Sequence, residues 1–508
     1  MKPSIDSVGN IQPPDLIKES LGFAALFIVY FLAESISSVY LGPLSKFPGP
    51  KLWAFTKLPS IKAMVSGNEG QIYSELHQKY GPVVRVGPRQ LSYAGGAQAW
   101  KTIYGFKKHG SSMPYKDPLF YGKSLNGTPN IIVADDANHS RQRKILAHAF
   151  SDKALKEQEP LLKRWAQLLR TKLRERADGK DELDMVKYYN FTTFDVMGDL
   201  TFSEGLNMLE GSDYSPWVKT IFGSIKNATF FRGIRVHDAV SKYILDEFVF
   251  KSKKVRTMAW EHWRYTTDRL HRRLKREPEH EDLWAKIMAK DEADGGLTMG
   301  EHESNASLFM IAGTETTATA LSGTTYHLLR NPDKMQKLIG EVRGAFSDFD
   351  DVTLEGLAKM KYLQAVLQEG LRMYPPVPIA LPRVTPTEGA EIDGMPVPGD
   401  VTIGVHQLAT YRMPEHFKNA YEFHPERWLN DPEYKDDSLD ALEPFSVGPR
   451  NCLGKNLAWH EMRVLLVTVL LHFDLKLSED SKTWSDQKIY TLWEKKPLLC
   501  SLTPCAKT

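Results

Sequence analysis

Cysteine is scarce in this chain of 508 residues, which contains Cys452, Cys500 and Cys505 and no others. Three cysteines are too few for a disulfide framework, and their spacing matches no zinc-binding pattern. The body of the chain is therefore expected to face a reducing compartment. We expect Cys500 and Cys505 to be free thiols in a polar C-terminal tail.

The sequence also lacks an excess of charge of either sign. Lysine and arginine total 65, aspartate and glutamate total 63, and the net charge at neutral pH is +2. Such a chain has no overall field that would attract nucleic acid, so no nucleic-acid partner is expected. A hydrophobic fraction of 42% is sufficient for a large core and excludes overall disorder.

One long apolar run lies near the N-terminus, where residues 21–33 (LGFAALFIVYFLA) carry no charge. Extended past Glu34, the run approaches the roughly 20 apolar residues that cross a bilayer as a helix. The flank before it is mixed in charge, unlike that of a signal peptide, so a retained anchor at about 21–41 is favoured over cleavage or simple burial. Residues 35–68 contain lysines and no acid, which places the following body on the cytoplasmic side.

Three prolines in residues 42–54 (GPLSKFPGPKLWA) predict a stiff, non-helical hinge. This hinge separates an N-terminal segment, residues 1–41, from one large domain, residues 55–508. A β-hairpin is predicted at 83–94 and a second sheet-like stretch at about 391–405. Helical periodicity predicts helices at 136–150, 155–177, 240–275, 301–330, 333–346 and 355–374. The predicted fold class is mainly α with small β-sheets.

The stretch FSVGPRNCLGKNLA (445–458) places Cys452 between two glycines. Gly448 permits a tight turn, and Gly454 leaves space for a large flat group beside the backbone. Apolar residues then repeat at helical steps, so Cys452 is expected at a helix N-terminus, which favours a thiolate. A thiolate in such a loop is a soft metal ligand. The alternative is a buried cysteine that acts as a small apolar residue, and the neighbouring glycines and Arg450 argue against it.

The pattern F-x-x-G-x-R-x-C-x-G is filled here by Phe445, Gly448, Arg450, Cys452 and Gly454. It resembles the haem-binding loop of the cytochrome P450 superfamily. The resemblance implies that Cys452 is the axial ligand of a haem b iron, where electron donation from the thiolate favours O–O cleavage. It implies further that Arg450 pairs with a haem propionate and that Phe445 packs beside the thiolate. The implied fold is a P450-like single large domain preceded by an N-terminal transmembrane helix.

Two further segments occur in the order that this family shows. Glu369 and Arg372 (EGLR) lie three residues apart on one helix face, and Arg427 lies in PERW. Alone, such a pair is an ordinary surface ion pair of small value. Together the three residues resemble the buried Glu-Arg-Arg cluster that braces the haem-binding region of the family. Breaking the cluster is expected to reduce stability and haem retention, because it strands a buried charge.

The stretch AGTETT (312–317) lies within a predicted helix. Ala312 and Gly313 are small enough for a flat ring to approach, and the Thr316 hydroxyl can bond the carbonyl four residues earlier, which loosens the helix. Taken alone, these residues are more often packing features. The resemblance to the oxygen-activating pattern of the family implies that Thr316 orients protons during O2 activation and that Glu315 relays them from solvent.

Basic residues supply the other expected haem contacts. His139 and Arg143 lie at i and i+4 in HSRQRKILAHAF, where the family often has a tryptophan in place of His139. The resemblance implies that both donate to a propionate, and a solvated basic helix is the alternative for His139. Arg383, in PPVPIALPR, matches another propionate-binding arginine of the family. Buried carboxylates require such partners.

The resemblance covers the chain from the proline-rich hinge to about residue 475, and it is nearest to microsomal members from filamentous fungi, such as those of the isotrichodermin hydroxylase type. It implies a haem-dependent monooxygenase that hydroxylates or epoxidises a lipophilic small molecule, terpenoid or polyketide-like, in fungal secondary metabolism. Electrons would come from NADPH through NADPH-cytochrome P450 reductase, which would dock near Lys455 and Arg463. The implied location is the endoplasmic reticulum membrane, single-pass, with the catalytic domain on the cytoplasmic side.

Two other functions fit the same motifs. One is a haem-thiolate enzyme for isomerisation, dehydration or oxidative ring coupling, and the other is a haem sensor without turnover. The pair Glu315 and Thr316 favours oxygen activation over both. By family analogy the substrate pocket is expected to draw on apolar stretches at 112–125, 205–235, 304–316, 375–381 and near Tyr490.

Overall fold

The computed structural model of the protein describes residues 22, 29–30, 33–106, 112–122, 124–177, 181–214, 216–235, 253–291 and 296–505. Within these ranges, no helix combines the length and the apolar character needed to cross a membrane. Residues 21, 23–28 and 31–32 of the predicted anchor at about 21–41 lie outside the described residues, as does the first part of the helix predicted at 240–275.

Helices form most of the described chain, as predicted. They are α1 (Lys51–Phe55), α2 (Leu58–Val65), α3 (Glu69–Tyr80), α4 (Ala97–Tyr104), α5 (Pro118–Tyr121), α6 (Asp136–Ala149), α7 (Asp152–Lys156), α8 (Glu159–Arg174), α9 (Met185–Phe202), α10 (Met208–Gly211), α11 (Pro216–Arg235), α12 (Lys253–Leu274), α13 (Leu283–Asp291), α14 (Met299–Arg330), α15 (Pro332–Ala345), α16 (Leu354–Lys359), α17 (Lys361–Met373), α18 (Gln407–Tyr411) and α19 (Lys455–His472). Short 3-10 helices lie at Phe349–Asp351, Pro425–Leu429, Pro432–Tyr434, Leu439–Ala441, Gly448–Arg450 and Glu479–Ser481.

The strands are short and form small sheets. They are β1 (Val83–Gly87), β2 (Gln90–Tyr93), β3 (Tyr115–Lys116), β4 (Glu182–Asp184), β5 (Arg383–Val384), β6 (Ala390–Ile392), β7 (Met395–Val397), β8 (Thr402–Val405), β9 (Phe473–Leu477), β10 (Ile489–Tyr490), β11 (Leu492–Trp493) and β12 (Leu499–Pro504). The largest sheet has the order β1-β2-β8-β5-β3, in which β2 and β8 are parallel and the other pairs are antiparallel. A second sheet has the order β4-β12-β9. The predicted class, mainly α with small sheets, is confirmed.

Two predicted sheet regions are confirmed in detail. Strands β1 and β2 form the expected antiparallel hairpin, with Val83 opposite Tyr93. Strands β6 and β7 pair across a turn at Asp393 and Gly394, which have φ of 51° and 75°. Positive φ at both central positions suits the twist of a two-residue hairpin, and aspartate and glycine tolerate it.

Two predicted helices are each divided in the structure. The pattern at 155–177 starts within the short helix α7 and continues as α8, because Pro160 lies in the first turn of α8 and lacks the N–H that a continuous helix needs. The pattern at 355–374 is interrupted at Met360, which has an extended conformation between α16 and α17. Apolar periodicity continues across both breaks, and therefore it did not reveal them.

The proline-rich segment differs from the predicted hinge. Its C-terminal end is helical, since α1 begins directly after Pro50, and the expectation that residues 42–54 exclude helix is wrong there. Proline is compatible with a helix start, where no intrahelical donor is needed. Leu44 and Phe47 are buried against the largest sheet, and the Arg85 N–H donates to the carbonyl of Pro48 at 2.7 Å. The segment is thus packed on the domain.

Helix α14 runs through the core that positions the site. Its 32 residues give a length of about 48 Å at 1.5 Å per residue. It packs most extensively on α9, which is buried along almost its whole length, and it also contacts α12, α17 and α19. A Cβ at Gly370 of α17 would lie 2.1 Å from the hydroxyl of Thr324 in α14, so the backbone of α17 packs directly on a side chain of α14 there.

The C-terminal segment belongs to the core, which corrects the prediction of a polar tail. Cys500 is fully buried in β12, between β4 and β9. Burial, together with the nearby carboxylates of Asp184 and Glu182, raises the pKa of the Cys500 thiol to about 12. Cys505 is partly exposed just after the strand, and neither cysteine forms a disulfide, as predicted.

Candidate active site

A cavity of about 320 Å³ lies where α14, α6 and α19 meet the cysteine loop, residues 445–454. This volume is at the lower end of the range for small-molecule sites. Its apolar wall is formed by Ile131, Ile132, Phe150, Met197, Leu308, Phe309, Leu371, Pro376, Val377, Leu381 and Leu457. Basic residues gather at one end, and Cys452 faces the interior.

The cysteine loop holds Cys452 just before a helix. The Cys452 N–H donates to the carbonyl of Phe445 at 2.8 Å, and α19 begins three residues later with Gly454 at its N-cap position. Burial raises the pKa of the Cys452 thiol, and it outweighs the lowering caused by the Gly454 N–H, Arg143 and Lys455. The predicted preference for a thiolate therefore does not arise from the helix terminus alone. Coordination to a metal ion deprotonates a thiol directly.

The two glycines of the loop have different roles. Gly448 has a φ of 76°, and a Cβ there would lie 2.0 Å from the carbonyl oxygen of Tyr104, so only glycine fits. A Cβ at Gly454 would meet no described heavy atom within 4 Å. The backbone at Gly454 thus borders open space on the cavity side, as a large flat group requires. Phe445 packs near Trp459, with their ring centroids 6.1 Å apart.

Two arginines at the basic end of the cavity have N–H groups without a hydrogen-bond partner among the described residues. Arg450 donates to the carbonyl of Ala134 at 2.8 Å and to Asp136 at 2.7 Å, but its Nη1 is buried without a partner among the described residues. Arg383 is buried, and its Nη1 likewise lacks a partner in the described part of the chain. Two guanidinium groups with unused buried donors form a site for carboxylates.

His139 and Arg143 also line the cavity, with different electrostatic roles. Arg143 donates to the carbonyl and to the side-chain oxygen of Asn451, both at 2.7 Å, and so secures the cysteine loop to α6. Burial and the charges of Arg450, Lys116 and Arg143 lower the pKa of His139 to about 4. His139 is therefore neutral at pH 7 and offers one ring N–H. Propionate binding by these two residues stays a prediction.

Lys116 completes the basic end, and sequence reasoning missed it. Its ammonium donates to the carbonyl of Ile132 at 2.5 Å and lies 4.2 Å from the ring centroid of Tyr121. Burial, followed by repulsion from Arg383 and Arg450, lowers the pKa of Lys116 to about 6. A lysine in a two-residue strand has no local signal, so only the tertiary fold reveals it. The basic end of the cavity suits a group that carries two carboxylates, as haem does.

Helix α14 presents Ala312, Gly313 and Thr316 to the cavity. The Thr316 hydroxyl donates to the carbonyl of Ala312 at 2.7 Å, the geometry predicted from the sequence. Gly313 is also a packing residue, because a Cβ there would lie 2.6 Å from the sulfur of Met197 in α9.

Glu315 does not belong to the described cavity lining. Its carboxylate forms an ion pair with Lys495, and both side chains are 5% exposed. Lys495 also donates to the Thr319 hydroxyl at 2.8 Å. Sequence reasoning missed Lys495, which lies 180 residues away along the chain. Proton relay by Glu315 stays a prediction, and it would have to compete with this buried ion pair.

The structure brings Glu369, Arg372 and Arg427 into one fully buried cluster. Arg372 donates to both carboxylate oxygens of Glu369, at 2.7 and 2.9 Å, and Arg427 donates at 3.1 Å. The N–H of His424 and the indole of Trp428 donate to the same carboxylate at 2.8 and 3.0 Å. Burial alone would raise the pKa of Glu369, but the two guanidinium groups hold it below its ordinary value.

The cluster also fixes the irregular segment that precedes the cysteine loop. Arg372 donates to the carbonyls of Tyr411, Ala420 and Glu422 at 2.6 to 2.9 Å. Arg427 pairs with Asp437. The donors of two side chains thereby satisfy backbone carbonyls that no helix or sheet would satisfy, and they hold residues 411–437 against α17.

Only some of the stretches predicted to form the substrate pocket line the cavity. Residues of 112–125, 304–316 and 375–381 line it, as expected. The described part of 205–235 contributes none of the lining; Arg232 instead lies over the ring of Phe120 at 3.9 Å. Tyr490 is likewise outside the described lining and packs under Lys226.

Glu461 of α19 also lines the cavity, and it was not predicted from the sequence. Its spacing of four residues from Leu457 places both on the same helix face, which was a usable signal.

Comparison with known proteins identifies the class. The sequence profile of the cytochrome P450 family matches residues 47–501. The chain belongs to the cytochrome P450 family, as the motifs predicted.

Individual relatives cover nearly the whole chain. A cytochrome P450 monooxygenase, efuB, from Hormonema carpetanum is 48% identical over 482 residues, which are 94% of this chain and 95% of the relative. The cytochrome P450 monooxygenase FUM2 of Gibberella moniliformis is 42% identical, over 92% of this chain and all of the relative. Averantin hydroxylase of Dothistroma septosporum is 40% identical, over 95% of this chain and 91% of the relative.

Family membership fixes the chemistry at a general level. The chain is an oxidoreductase of the monooxygenase type whose cofactor is haem b, bound through a cysteine thiolate as in the rest of the family. These fungal relatives are consistent with the predicted hydroxylation in secondary metabolism. Enzymes of this family generally take electrons from a redox partner and act on lipophilic substrates.

Replacement of the buried carboxylate tests the Glu-Arg-Arg cluster. Glu369→Gln should lower the free energy of unfolding by about 3–5 kcal/mol, because it leaves the buried Arg372 without its anion and removes one of the two anions that Arg427 contacts. Urea unfolding and the ratio of haem to protein absorbance measure the effect, and we expect haem loss as well.

The matched control is Glu355→Gln, which breaks an ion pair with Lys359 between side chains that are each 73% exposed. Its effect should stay within about 0.5 kcal/mol. Equal stability and equal haem content in the two variants would contradict the bracing role of Glu369.

Proposed function

We propose that Cys452 binds the haem iron and that the chain hydroxylates or epoxidises a lipophilic small molecule in fungal secondary metabolism. The proposal rests on the groups that line one cavity. It contains a thiol, open space beside Gly454 and buried arginine donors without partners among the described residues. The haem supplies the activation of O2 when it is bound.

Different residues of this chain would bind different parts of the cofactor. Arg383 and Arg450 would donate to the propionates through their unused nitrogens, with His139 as a neutral donor. Arg143 would act mainly through Asn451, by holding the cysteine loop in place. Thr316 would hold a proton near the reacting oxygen and orient its transfer, because its hydroxyl is fixed within the cavity.

The cavity wall supports a lipophilic substrate. Leu308, Phe309, Val377 and Leu381 face the same space as the threonine that would orient protons. Such a wall binds by removing apolar surface from water, and it contributes little specificity for polar groups. The substrate is thus proposed to be a terpenoid or polyketide-like compound. Averantin, in the name of one relative, is a compound to test. The relatives named as monooxygenases favour this activity over isomerisation, dehydration, ring coupling or sensing.

Membrane attachment and electron supply complete the proposal. The side chains of Val29, Tyr30, Ile36, Tyr40 and Leu41 are each more than half exposed, and exposed apolar groups at this density favour a lipid contact. We assign residues 21–41 as a single-pass anchor in the endoplasmic reticulum membrane, with the domain on the cytoplasmic side.

The proposed electron donor is NADPH-cytochrome P450 reductase. Lys455 is exposed at the start of α19, next to the cysteine loop, and it offers a positive charge to an acidic partner. Arg463 contributes less than expected from the sequence, because it is partly buried and donates to Gln364 at 2.8 Å.

Cys452→Ser tests the ligand. The reduced, carbon monoxide-bound protein should lose the absorption signature of a thiolate ligand, because serine supplies no thiolate. Cys505→Ser is the control, since it removes a thiol outside the cavity, and it should leave the spectrum unchanged. A thiolate signature that persists in Cys452→Ser would exclude Cys452 as the ligand.

Binding difference spectra test the substrate class. Averantin and a panel of terpenoids and polyketides should shift the haem absorption, and Leu308→Ala should weaken the binding of an active compound about five- to tenfold through lost apolar contact. Leu329→Ala, on the same helix outside the described lining, is the control. Equal affinities in the two variants would contradict binding along this wall.

Deletion of residues 2–41 tests the anchor. The shortened protein should leave the membrane fraction and appear in the high-speed supernatant with its haem bound, because the hydrophobic clusters of the described residues begin at Leu44 and the family match begins at residue 47. Full-length protein expressed in parallel is the reference. Continued membrane pelleting of a haem-loaded deletion variant would show that residues 2–41 are not the anchor.

A further inference from the structure

Two buried amide side chains, Asn305 of α14 and Gln142 of α6, have no part in the proposed function. Both are 0% exposed, and the Asn305 Nδ2 donates to the Gln142 Oε1 at 3.1 Å. They lie on helices that line the cavity, but neither side chain is part of the described lining. A buried amide is costly unless its polar atoms are hydrogen-bonded, so its partners show what it holds in place.

The pair binds the loop that precedes α6, residues 126–134. The N–H of Ile131 donates to the Asn305 Oδ1 at 3.0 Å. The Gln142 Nε2 donates to the carbonyl of Pro129 at 2.9 Å. The two amides and the two backbone groups thus form one chain of hydrogen bonds that starts and ends on the loop.

The orientation of both amides is set by a third residue, Glu301. The Gln142 Nε2 donates to the Glu301 carboxylate at 3.1 Å, and the Asn305 Nδ2 donates to the Glu301 carbonyl at 2.9 Å. Only the NH2 end of an amide can donate to these oxygens, so each amide oxygen must point the other way. The oxygen of Asn305 is thereby directed at the N–H of Ile131, and a reversed amide would leave that buried N–H without an acceptor.

The bound part of the loop is a turn with hydrogen bonds of its own. The Asn130 side chain accepts from the N–H of Ile132 at 3.1 Å, and the Asn130 carbonyl accepts from the N–H of Ala134 at 2.9 Å. The Asn126 side chain fixes the start of the loop by donating to the carbonyl of Gly300 at 2.9 Å. The turn therefore forms locally, and side chains of α6 and α14 determine where it lies.

The position of this turn sets the shape of the cavity. Ile131 and Ile132 line the cavity from the loop, and Leu308 and Phe309 line it from α14, within one turn of Asn305. The same part of α14 thus supplies one section of the apolar wall and holds another. Apolar contact weakens steeply when two surfaces separate by even 1 Å, so a wall held in this way selects a ligand by its shape.

We propose that Asn305 and Gln142 are positioning residues for substrate selection. They hold Ile131 and Ile132 at a fixed distance from α14, and so they determine which lipophilic molecules fit beside the haem. The inference rests on the proposed haem-dependent function. It implies selection by shape, because the polar atoms of the pair are used within the chain of hydrogen bonds and face no substrate.

Hydrogen exchange of the haem-loaded protein tests the hold on the loop. Asn305→Leu removes the acceptor of the Ile131 N–H at similar side-chain volume, and that amide should exchange at least about tenfold faster. Mass spectrometry of peptides that cover residues 126–134 measures the rate. Asn190→Leu is the matched control, because it removes a buried asparagine on α9 outside the described lining, and it should leave this rate unchanged. Equal exchange in Asn305→Leu and the wild type overturns the inference.

Nitrogen ligands of the haem iron test the wall without a known substrate. 4-Phenylimidazole carries an apolar ring that extends from the iron into the cavity, and imidazole lacks this ring. In difference spectra, Asn305→Leu and Gln142→Met should each weaken 4-phenylimidazole binding about five- to tenfold and change imidazole binding less than about twofold. Asn190→Leu should change neither affinity. An unchanged ratio of the two affinities in haem-loaded Asn305→Leu contradicts a role in substrate selection.

The double variant shows whether the two amides act as one unit. If they do, Asn305→Leu with Gln142→Met should have the effect of either single variant, because the first change already breaks the chain. Effects that add would show two independent residues and would overturn the paired role.

One further variant covers the loss of haem from the amide variants. Ile131→Ala shortens the wall and leaves both amides in place, and it should weaken 4-phenylimidazole binding while imidazole binding stays the same. An unchanged ratio of affinities in Ile131→Ala overturns the inference. A wild type that shows no spectral change with imidazole contradicts the proposed haem site instead, and the exchange of Ile131 then still decides whether the pair holds the loop.

Discussion

The carboxylate of Glu369 is the constraint on which the site depends. It is fully buried on α17 and is bound by two arginines, an indole and a backbone N–H. Its partners extend through residues 411–437, a stretch with little regular structure. Side-chain N–H groups therefore satisfy the backbone carbonyls of this stretch, as a helix or a sheet does elsewhere. The cysteine loop that follows is thereby held in a defined position against α14 and α6.

Burial controls the charge state of the groups around the cavity. It keeps His139 neutral, holds Glu461 in its acid form and raises the pKa of the Cys452 thiol. At the basic end, burial acts together with repulsion from Arg383 and Arg450 to lower the pKa of Lys116 to about 6. The cavity is thus divided into a cationic end, an apolar wall and a neutral acid close to the threonines of α14.

The sequence predicted those parts of the site that local spacing encodes. Glu369 and Arg372 share a helix face, and a tight turn at Gly448 needs glycine, so both could be placed without a structure. Lys116 and Lys495 reach their positions through contacts distant in the chain and carry no local signal. The position of Glu315 outside the described cavity lining could not be predicted, because α14 is largely buried and its polar and apolar residues do not separate onto two faces. The helix that starts after Pro50 was missed because proline can end one helix and also begin another.

The cationic end of the cavity links the stability of the protein to its cofactor supply. Asp136 pairs with Arg450, but one nitrogen each of Arg383 and Arg450 is buried without a partner among the described residues, and Lys116 is repelled by both arginines. Unsatisfied buried donors and this repulsion lower the free energy of unfolding. A ligand with two carboxylates removes this cost and binds only the folded chain, so mass action makes the unfolding free energy rise with free haem concentration. The amount of folded enzyme in a cell then depends on haem synthesis as well as on expression of the gene.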